Sequence, residues 1–187
     1  MPRWTILGLA IVSQNDCIAD AQGNMPEALR NDADWALFQS ELDRASLTVL
    51  GRLGHEAHGN AKQRRRMIVS SHSSGLEKRP DGWWWNPELL DWQTAVARAV
   101  PQGGVIAVPG GQGVFDLFLQ LGFDQFHLTR AEGIEIPGGR PLFSGVSNAL
   151  TAESILAAHG LQPRETVTID PAVPVTLTPW TRVRSGA

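Results

Sequence analysis

The chain has 187 residues, 42% hydrophobic and 19% charged, with 19 Gly and 12 Pro. That length holds one sizeable core, and the composition excludes a disordered or collagen-like chain. A net charge of −3 argues against a polyanion such as duplex DNA as partner. All but two of the sixteen basic residues are Arg, the exceptions being Lys62 and Lys78. Arg suits bidentate contacts with phosphate or carboxylate, although a compositional bias gives the same count. Cys17 is the sole cysteine, which excludes an intrachain disulfide and a thiolate metal cage. The opening MPRWTILGLAIV is too short to span a bilayer and lacks a cleavage pattern. The expectation is a cytoplasmic, soluble protein.

In chain order, the apolar run Trp4–Val12 predicts a strand buried on both faces. Residues 14–30 read as a long polar loop of the length at which loops tend to be functional. Asn31 or Asp32 can cap a helix to about Ala45, with Trp35, Phe38, Leu42 and Ala45 on one face. A short strand at 46–50 runs directly into Gly51-Arg52. Strand 67–69 follows the basic run Lys62-Gln-Arg-Arg-Arg66 and leads into Ser70-Ser71. Trp83-Trp84-Trp85 suits a strand or edge, and Pro87 fits the first turn of a helix to about Val100. Strand 105–108, a glycine turn at 109–113, helix 114–121 stopped by Gly122 and strand 125–128 come next. After a Gly/Pro-rich loop at 137–145, a helix near 152–159 ends at Gly160. Strands 165–169 and 175–181, joined through Asp170-Pro171, predict an antiparallel pair. This alternation predicts one α/β domain over 1–187: a mostly parallel central sheet, helices on both faces and a C-terminal antiparallel hairpin.

Three strand ends carry chemistry. Val105-Ile-Ala-Val-Pro-Gly-Gly-Gln-Gly-Val-Phe115 is a strand, a glycine turn and a helix, which places Gly110, Gly111 and Gly113 where backbone N–H groups can meet an anion. The pattern is not GxGxxG, and a strand-to-helix turn needing positive φ would use the same glycines. Gly51-Arg52 and Ser70-Ser71 end two further strands. Together the three ends can line one crevice suited to a nucleotide with several phosphates. Asp34, in the first turn of its helix, favours the helix dipole, yet beside Trp35 and Phe38 its carboxylate could fork to an amidine-like N–H pair of a heterocycle.

These segments resemble the dihydrofolate reductase family in order, spacing and short motifs over about residues 4–145. Leu7-Gly-Leu9-Ala-Ile-Val, Ile18 and Asn24-Met25-Pro resemble its first strand and mobile loop. Ala33-Asp34-Trp-Ala-Leu-Phe38 resembles its substrate-binding helix, and Val49-Leu-Gly51-Arg52 its dinucleotide strand end. Arg64 through Ser71, Val108-Pro-Gly-Gly-Gln-Gly-Val-Phe115 and Phe126-His-Leu-Thr129 match further segments. The resemblance implies NADPH-dependent reduction of dihydrofolate, within folate and one-carbon metabolism. It implies that Asp34 is catalytic, orienting the pterin and assisting protonation, with Leu9, Met25, Phe38, Arg64 and Thr129 also binding substrate. In that scheme Thr129 hydrogen-bonds Asp34, Phe38 packs on the ring and Arg64 pairs with the glutamate carboxylate. The cofactor set it implies is Ile18, Gly51, Arg52, Leu53, Gly54, Ser70, Ser71, Gly110, Gly111, Gln112, Gly113, Val114 and Phe115. Arg52, Ser70 and Ser71 face the 2′-phosphate and ribose, and a cis peptide joins Gly110 to Gly111.

Three positions depart from the family: Glu27 replaces a tryptophan after Met-Pro, Gly54 a threonine and Phe115 a tyrosine. The last forty residues look more like the aminouracil-phosphate reductases of riboflavin synthesis. An aminopyrimidine or another pterin is therefore an alternative substrate, with Arg64 then meeting a phosphate, and a catalytically silent nucleotide-binding module is a second alternative. Arg64-Arg65-Arg66 in an acidic protein reads as a solvated strand approach, not an RNA contact. His55 and His58 lack a third ligand, so no metal is expected. The tryptophan cluster reads as packing, with alternate rings buried and the other facing a partner. The expected partners are a small molecule, no nucleic acid and no membrane, in a monomer or homodimer.

Overall fold

The computed structural model describes residues 1–183. Its framework is one mixed sheet in the order β10 (Leu161–Pro163), β12 (Val175–Arg182), β8 (Gln125–Ala131), β1 (Trp4–Val12), β7 (Gly104–Gly110), β3 (Leu47–Gly51), β4 (Arg66–Val69), β6 (Gly82–Trp85) and β5 (Leu76–Arg79), with β11 (Val167–Asp170) added along β12. β1 (Trp4–Val12) lies between β7 (Gly104–Gly110) and β8 (Gln125–Ala131), parallel to both. β3 (Leu47–Gly51), β4 (Arg66–Val69) and β6 (Gly82–Trp85) continue the parallel part beyond β7. A strand flanked by two parallel neighbours is covered on both faces, which is why β1 is a continuous apolar run. Gly8 allows a close approach there: a Cβ at this position would lie 2.2 Å from the Phe126 ring.

The helices cover both faces, unequally. α3 (Trp92–Ala99), α4 (Gln112–Leu121) and α5 (Ala152–Ala158) bury their apolar stripes in the main core. There Trp92 meets Trp85 and Phe118, and Phe115, Phe123, Phe126 and Phe143 form an aromatic cluster. α1 (Asp32–Arg44) crosses the other face over a thinner core of Leu7, Leu9, Leu42 and Ala107, with Phe38 packed against it. Leu42 is the one residue of α1 that is fully buried, while Trp35 and Leu37 stay exposed.

Several elements differ from the sequence expectation. The long loop contains β2 (Cys17–Ala19), paired with β9 (Arg140–Pro141), and a single 3-10 turn at Glu27–Leu29. Gly51-Arg52 opens a short helix, α2 (Arg52–Ala57), and β5 (Leu76–Arg79) adds an antiparallel edge to β6. α3 begins at Trp92, not Pro87, because the Asp91 side chain accepts the Thr94 N–H and caps it there. The C-terminal part has three strands in place of two. β10 (Leu161–Pro163) and β11 (Val167–Asp170) both pair antiparallel with β12 (Val175–Arg182), and β12 pairs with β8. Two adjacent tryptophans are buried, not alternate ones, since β6 is covered on both faces. Trp85 points to Trp92, whereas Trp84 meets His55 edge-on and the Arg79 guanidinium 4.4 Å above its ring.

Candidate active site

The register of the parallel strands brings the chemistry to one edge. Gly8 pairs with Val108, so Gly110, two residues further along β7, reaches the level of Ala10, while Ile11 pairs with Thr129. On the other side Leu50 pairs with Gly110, and Gly51 with Val69. The strand ends Gly110-Gly111, Gly51-Arg52 and Ser70-Ser71 therefore sit side by side on β7, β3 and β4. Crevices beyond the carboxyl ends of parallel strands are where such sheets bind ligands.

The glycines of this edge differ in what surrounds them. The bond between Gly110 and Gly111 is cis, as the resemblance implies, and Gly110 has φ +121°. A Cβ at Gly110 would press on Phe115, whereas Cβ atoms at Gly111 and Gly113 would meet nothing within 4 Å. α1, α3 and α5 are each capped by a side chain (Asn31, Asp91 and Thr151), but α4, with Gly111 as its N-cap, has no side-chain cap, and neither has α2 behind Gly51. The first N–H groups of α4 thus remain available to an external anion. The Gln112 side-chain amide Nε2 donates to the Pro141 carbonyl at 2.9 Å and ties this turn to β9. Val114 and Phe115 are buried behind the turn, Phe115 against Phe126 and Phe143. Arg52 is half exposed and donates to Glu56 at 2.8 Å; Leu53 is exposed, and Gly54 follows it in α2. Ser70 is buried with its hydroxyl accepting the His72 N–H, and Ser71 is exposed. Ile18 lies on β2 and packs against the main core.

Across β1 a groove runs between α1 and the β8–β12 strands, lined by Leu9, Ala10, Asp34, Leu37, Phe38, Glu41, His127, Thr129 and Leu177. Asn31 Oδ1 accepts the Asp34 N–H at 3.0 Å, which fixes the first turn and hence the carboxyl. Burial raises the Asp34 pKa above its usual 3.8, and a hydrogen bond from Thr129 offsets part of that rise. A carboxyl held this way can accept paired N–H groups when ionised and release a proton when not. Phe38 stacks with the exposed Trp35 at the groove rim, centroids 5.6 Å apart.

Two residues expected to bind substrate, Arg64 and Met25, do not line this groove. Arg64 is pinned to the opposite side of α1, its guanidinium donating to Asp43 Oδ1 at 2.6 Å and Gln39 Oε1 at 2.7 Å. Met25 is exposed in the loop. Glu27 is turned to solvent and paired with Arg30 at 3.3 Å. Conversely, sequence reasoning missed Glu41, His127, Leu37, Ala10 and Leu177. Two signals were present: Asp34, Leu37, Phe38 and Glu41 follow the i, i+3, i+4, i+7 stripe of a helix, and His127 shares a strand face with Thr129. Burial lowers the His127 pKa below 6.5, with Glu41 opposing that shift and Arg44 adding to it.

No family model and no curated protein matches the chain. Solved structures do match. A diaminohydroxyphosphoribosylaminopyrimidine deaminase/5-amino-6-(5-phosphoribosylamino)uracil reductase from Thermotoga maritima aligns with TM-score 0.68 and 15% identity, over 97% of this chain and 57% of that one. The present chain thus spans little more than half of that bifunctional protein. A dihydrofolate reductase from Enterococcus faecalis, complexed with NADP(H) and RAB-propyl, aligns with TM-score 0.65 and 16% identity over 95% and 96% of the two chains. A Shewanella sp. PV-4 protein assigned to riboflavin biosynthesis aligns with TM-score 0.66 and 17% identity over 96% and 99%. The architecture is an α/β sheet with its candidate site at the strand ends. More narrowly, it is the dihydrofolate reductase-like fold.

Proposed function

We propose that the chain is an NADPH-dependent reductase of dihydrofolate or a related pterin, acting at the Asp34 groove. The observation that carries this is the placement of Asp34 and Thr129 in one groove beside β1, one strand across from the Gly110-Gly111 turn. The residues present fit a dinucleotide: Gly111 and Gly113 leave open space where side chains would stand, and α4 lacks a side-chain cap. Gly51, Arg52, Leu53, Gly54, Ser70, Ser71 and the segment from Gly110 to Phe115 would hold it, with Ile18 behind and Arg52 nearest in character to a phosphate partner. Bound there, the nicotinamide cofactor supplies the hydride. Asp34 receives the N–H pair of the heterocycle and keeps it oriented, Thr129 fixes the carboxyl rotamer, and Phe38 and Leu9 exclude water from the ring. The raised pKa keeps a proton on Asp34 to higher pH than an exposed carboxyl would, which suits a group that assists protonation of substrate. The Enterococcus neighbour holds NADP(H), which supports the cofactor assignment.

Reduction of an aminopyrimidine is the second reading, favoured by the likeness to the Thermotoga deaminase/reductase along nearly the whole chain. NADPH oxidation by the purified protein, with dihydrofolate and a dihydropterin in parallel, tests the first. Turnover that falls about 100-fold or more in Asp34→Asn is expected for a lost acid–base group. NADPH binding with neither pterin reduced would remove the pterin assignment and leave the aminopyrimidine.

A further inference from the structure

We infer that the groove extends its specificity beyond Asp34 to a second polar station, Glu41 with His127, which selects a substrate whose ring substituent is uncharged or donates hydrogen bonds, and rejects an anionic tail. This rests on the pterin-reductase reading and narrows it.

Spacing along α1 sets the reach of the site. Asp34 and Glu41 line the same groove seven residues apart on α1, so they stand about 10 Å apart along the helix. That separation exceeds the length of a fused two-ring heterocycle. A ring anchored at Asp34 therefore places its substituent, not its ring, at Glu41. α1 and β8 run in opposite senses here: the early helix residue Asp34 meets Thr129, and the later Glu41 acts on His127, two residues back along the strand. Leu9 and Ala10 form the floor between the two stations, with Leu37 and Phe38 on the helix side and Leu177 on the strand side.

Charge then decides the class of substituent. Among the described residues, neither a lysine nor an arginine lines the groove; its ionisable groups are Asp34, Glu41 and His127. Of the basic residues near this helix, Arg44 closes α1 with its side chain 70% exposed, outside the groove lining. Arg44 lies 3.5 Å from Glu41, while Arg64 and Lys62 both hold Asp43, the latter at 2.9 Å. Glu41 is itself mostly covered, its side chain 20% exposed, so its charge acts on the groove with reduced screening by solvent. Burial favours the neutral form of His127, whose ring then offers one donor and one acceptor. Hydroxyl or amine groups satisfy a carboxylate and a neutral imidazole, whereas a carboxylate or phosphate would face Glu41 with no cation lining the groove.

The test measures binding with two probes, 6-hydroxymethyl-7,8-dihydropterin and 7,8-dihydrofolate, read by quenching of tryptophan fluorescence in the presence of NADPH. Trp35, stacked on Phe38 at the rim, is the reporter. The hydroxymethyl pterin is expected to bind about 10-fold or more tightly than dihydrofolate, the scale of one hydrogen bond to a charged group. Glu41→Gln should narrow that ratio to about 3-fold, and Glu41→Lys should reverse it; thermal melts establish that both variants are folded. Asp34→Asn should weaken the two probes alike. Equal binding of the probes, or an unchanged ratio in Glu41→Gln and Glu41→Lys while Asp34→Asn still weakens both, overturns the second station and leaves the pterin reading standing. Failure of both probes to bind, or indifference of both to Asp34→Asn, overturns the pterin reading and this inference with it.

Discussion

Asp34 shows how one residue can be costly to the fold and useful to the site. Burial raises its folded pKa above 3.8, so the ionised carboxylate is less favoured in the folded chain than in the unfolded one. The sign follows by linkage. Below the unfolded pKa the group is protonated in both states and contributes no penalty; as pH rises above it, the penalty grows until the folded carboxyl ionises. Asp34→Asn should therefore raise the melting temperature at pH 7 relative to the parent, with the gain vanishing toward pH 4. Circular dichroism melts across that range check it. A lower melting temperature at pH 7 would mean that the Thr129 hydrogen bond outweighs the burial of charge. A gain in stability accompanied by loss of turnover is the trade-off expected of a functional group.

At the scale of elements, α1 is held less by packing than by its ends. Its apolar stripe buries only Leu42 fully, yet Asn31 both caps the first turn and donates to Asp170 Oδ2 of β11 at 2.9 Å. Asn31→Ala should cost about 1–2 kcal/mol in urea unfolding, the scale of a lost N-cap with its tertiary hydrogen bond. Asn31→Asp keeps the cap but sets a second carboxylate against Asp170. It should be less stable than the parent at pH 7 and recover part of the difference in acid, where the new carboxyl protonates. Equal stability of Asn31→Asp and parent at pH 7 would show that the tie to β11 carries little energy.

This same helix shows what sequence alone could disclose. The Asn31 cap and the helix end near Ala45 were legible because capping is local chemistry. So was β1, whose two-sided burial leaves an uninterrupted apolar run. β2, β5, β9 and β10 were not, since each is a strand of two to four residues whose pairing partner is the only reason it is extended. The site divides in the same way. Asp34, Thr129 and the strand-end glycines stand in motifs, whereas Glu41 and His127 become neighbours only through the opposed directions of α1 and β8. Arg64 has a motif position but spends its hydrogen bonds on Asp43 and Gln39, pairings across 21 and 25 residues that no local pattern signals.

For the whole molecule, the two faces of the sheet divide the labour. The face under α3, α4 and α5 carries the aromatic core and fixes the strands, while the face under α1 is thinly covered and leaves the groove open. The strand-end crevice joins the two, because α4 packs in the main core yet starts at the open glycines. A dinucleotide that binds there contacts β7, β3 and β4 together and binds only the folded chain, so it should stabilise the entire cooperative unit. At a cofactor concentration about 100 times Kd, mass action contributes about 2.7 kcal/mol. For a chain of this length that corresponds to a rise in melting temperature of about 5–10 °C. NADPH should produce that shift in a scanning fluorimetry titration, and Arg52→Ala should require roughly 10-fold more NADPH for the same shift, as one lost charge-assisted phosphate contact does. The response to NADH should be unchanged by Arg52→Ala, since NADH lacks the 2′-phosphate. Equal loss for both cofactors would move Arg52 from the 2′-phosphate to the pyrophosphate, and no shift with either would remove the dinucleotide from the crevice.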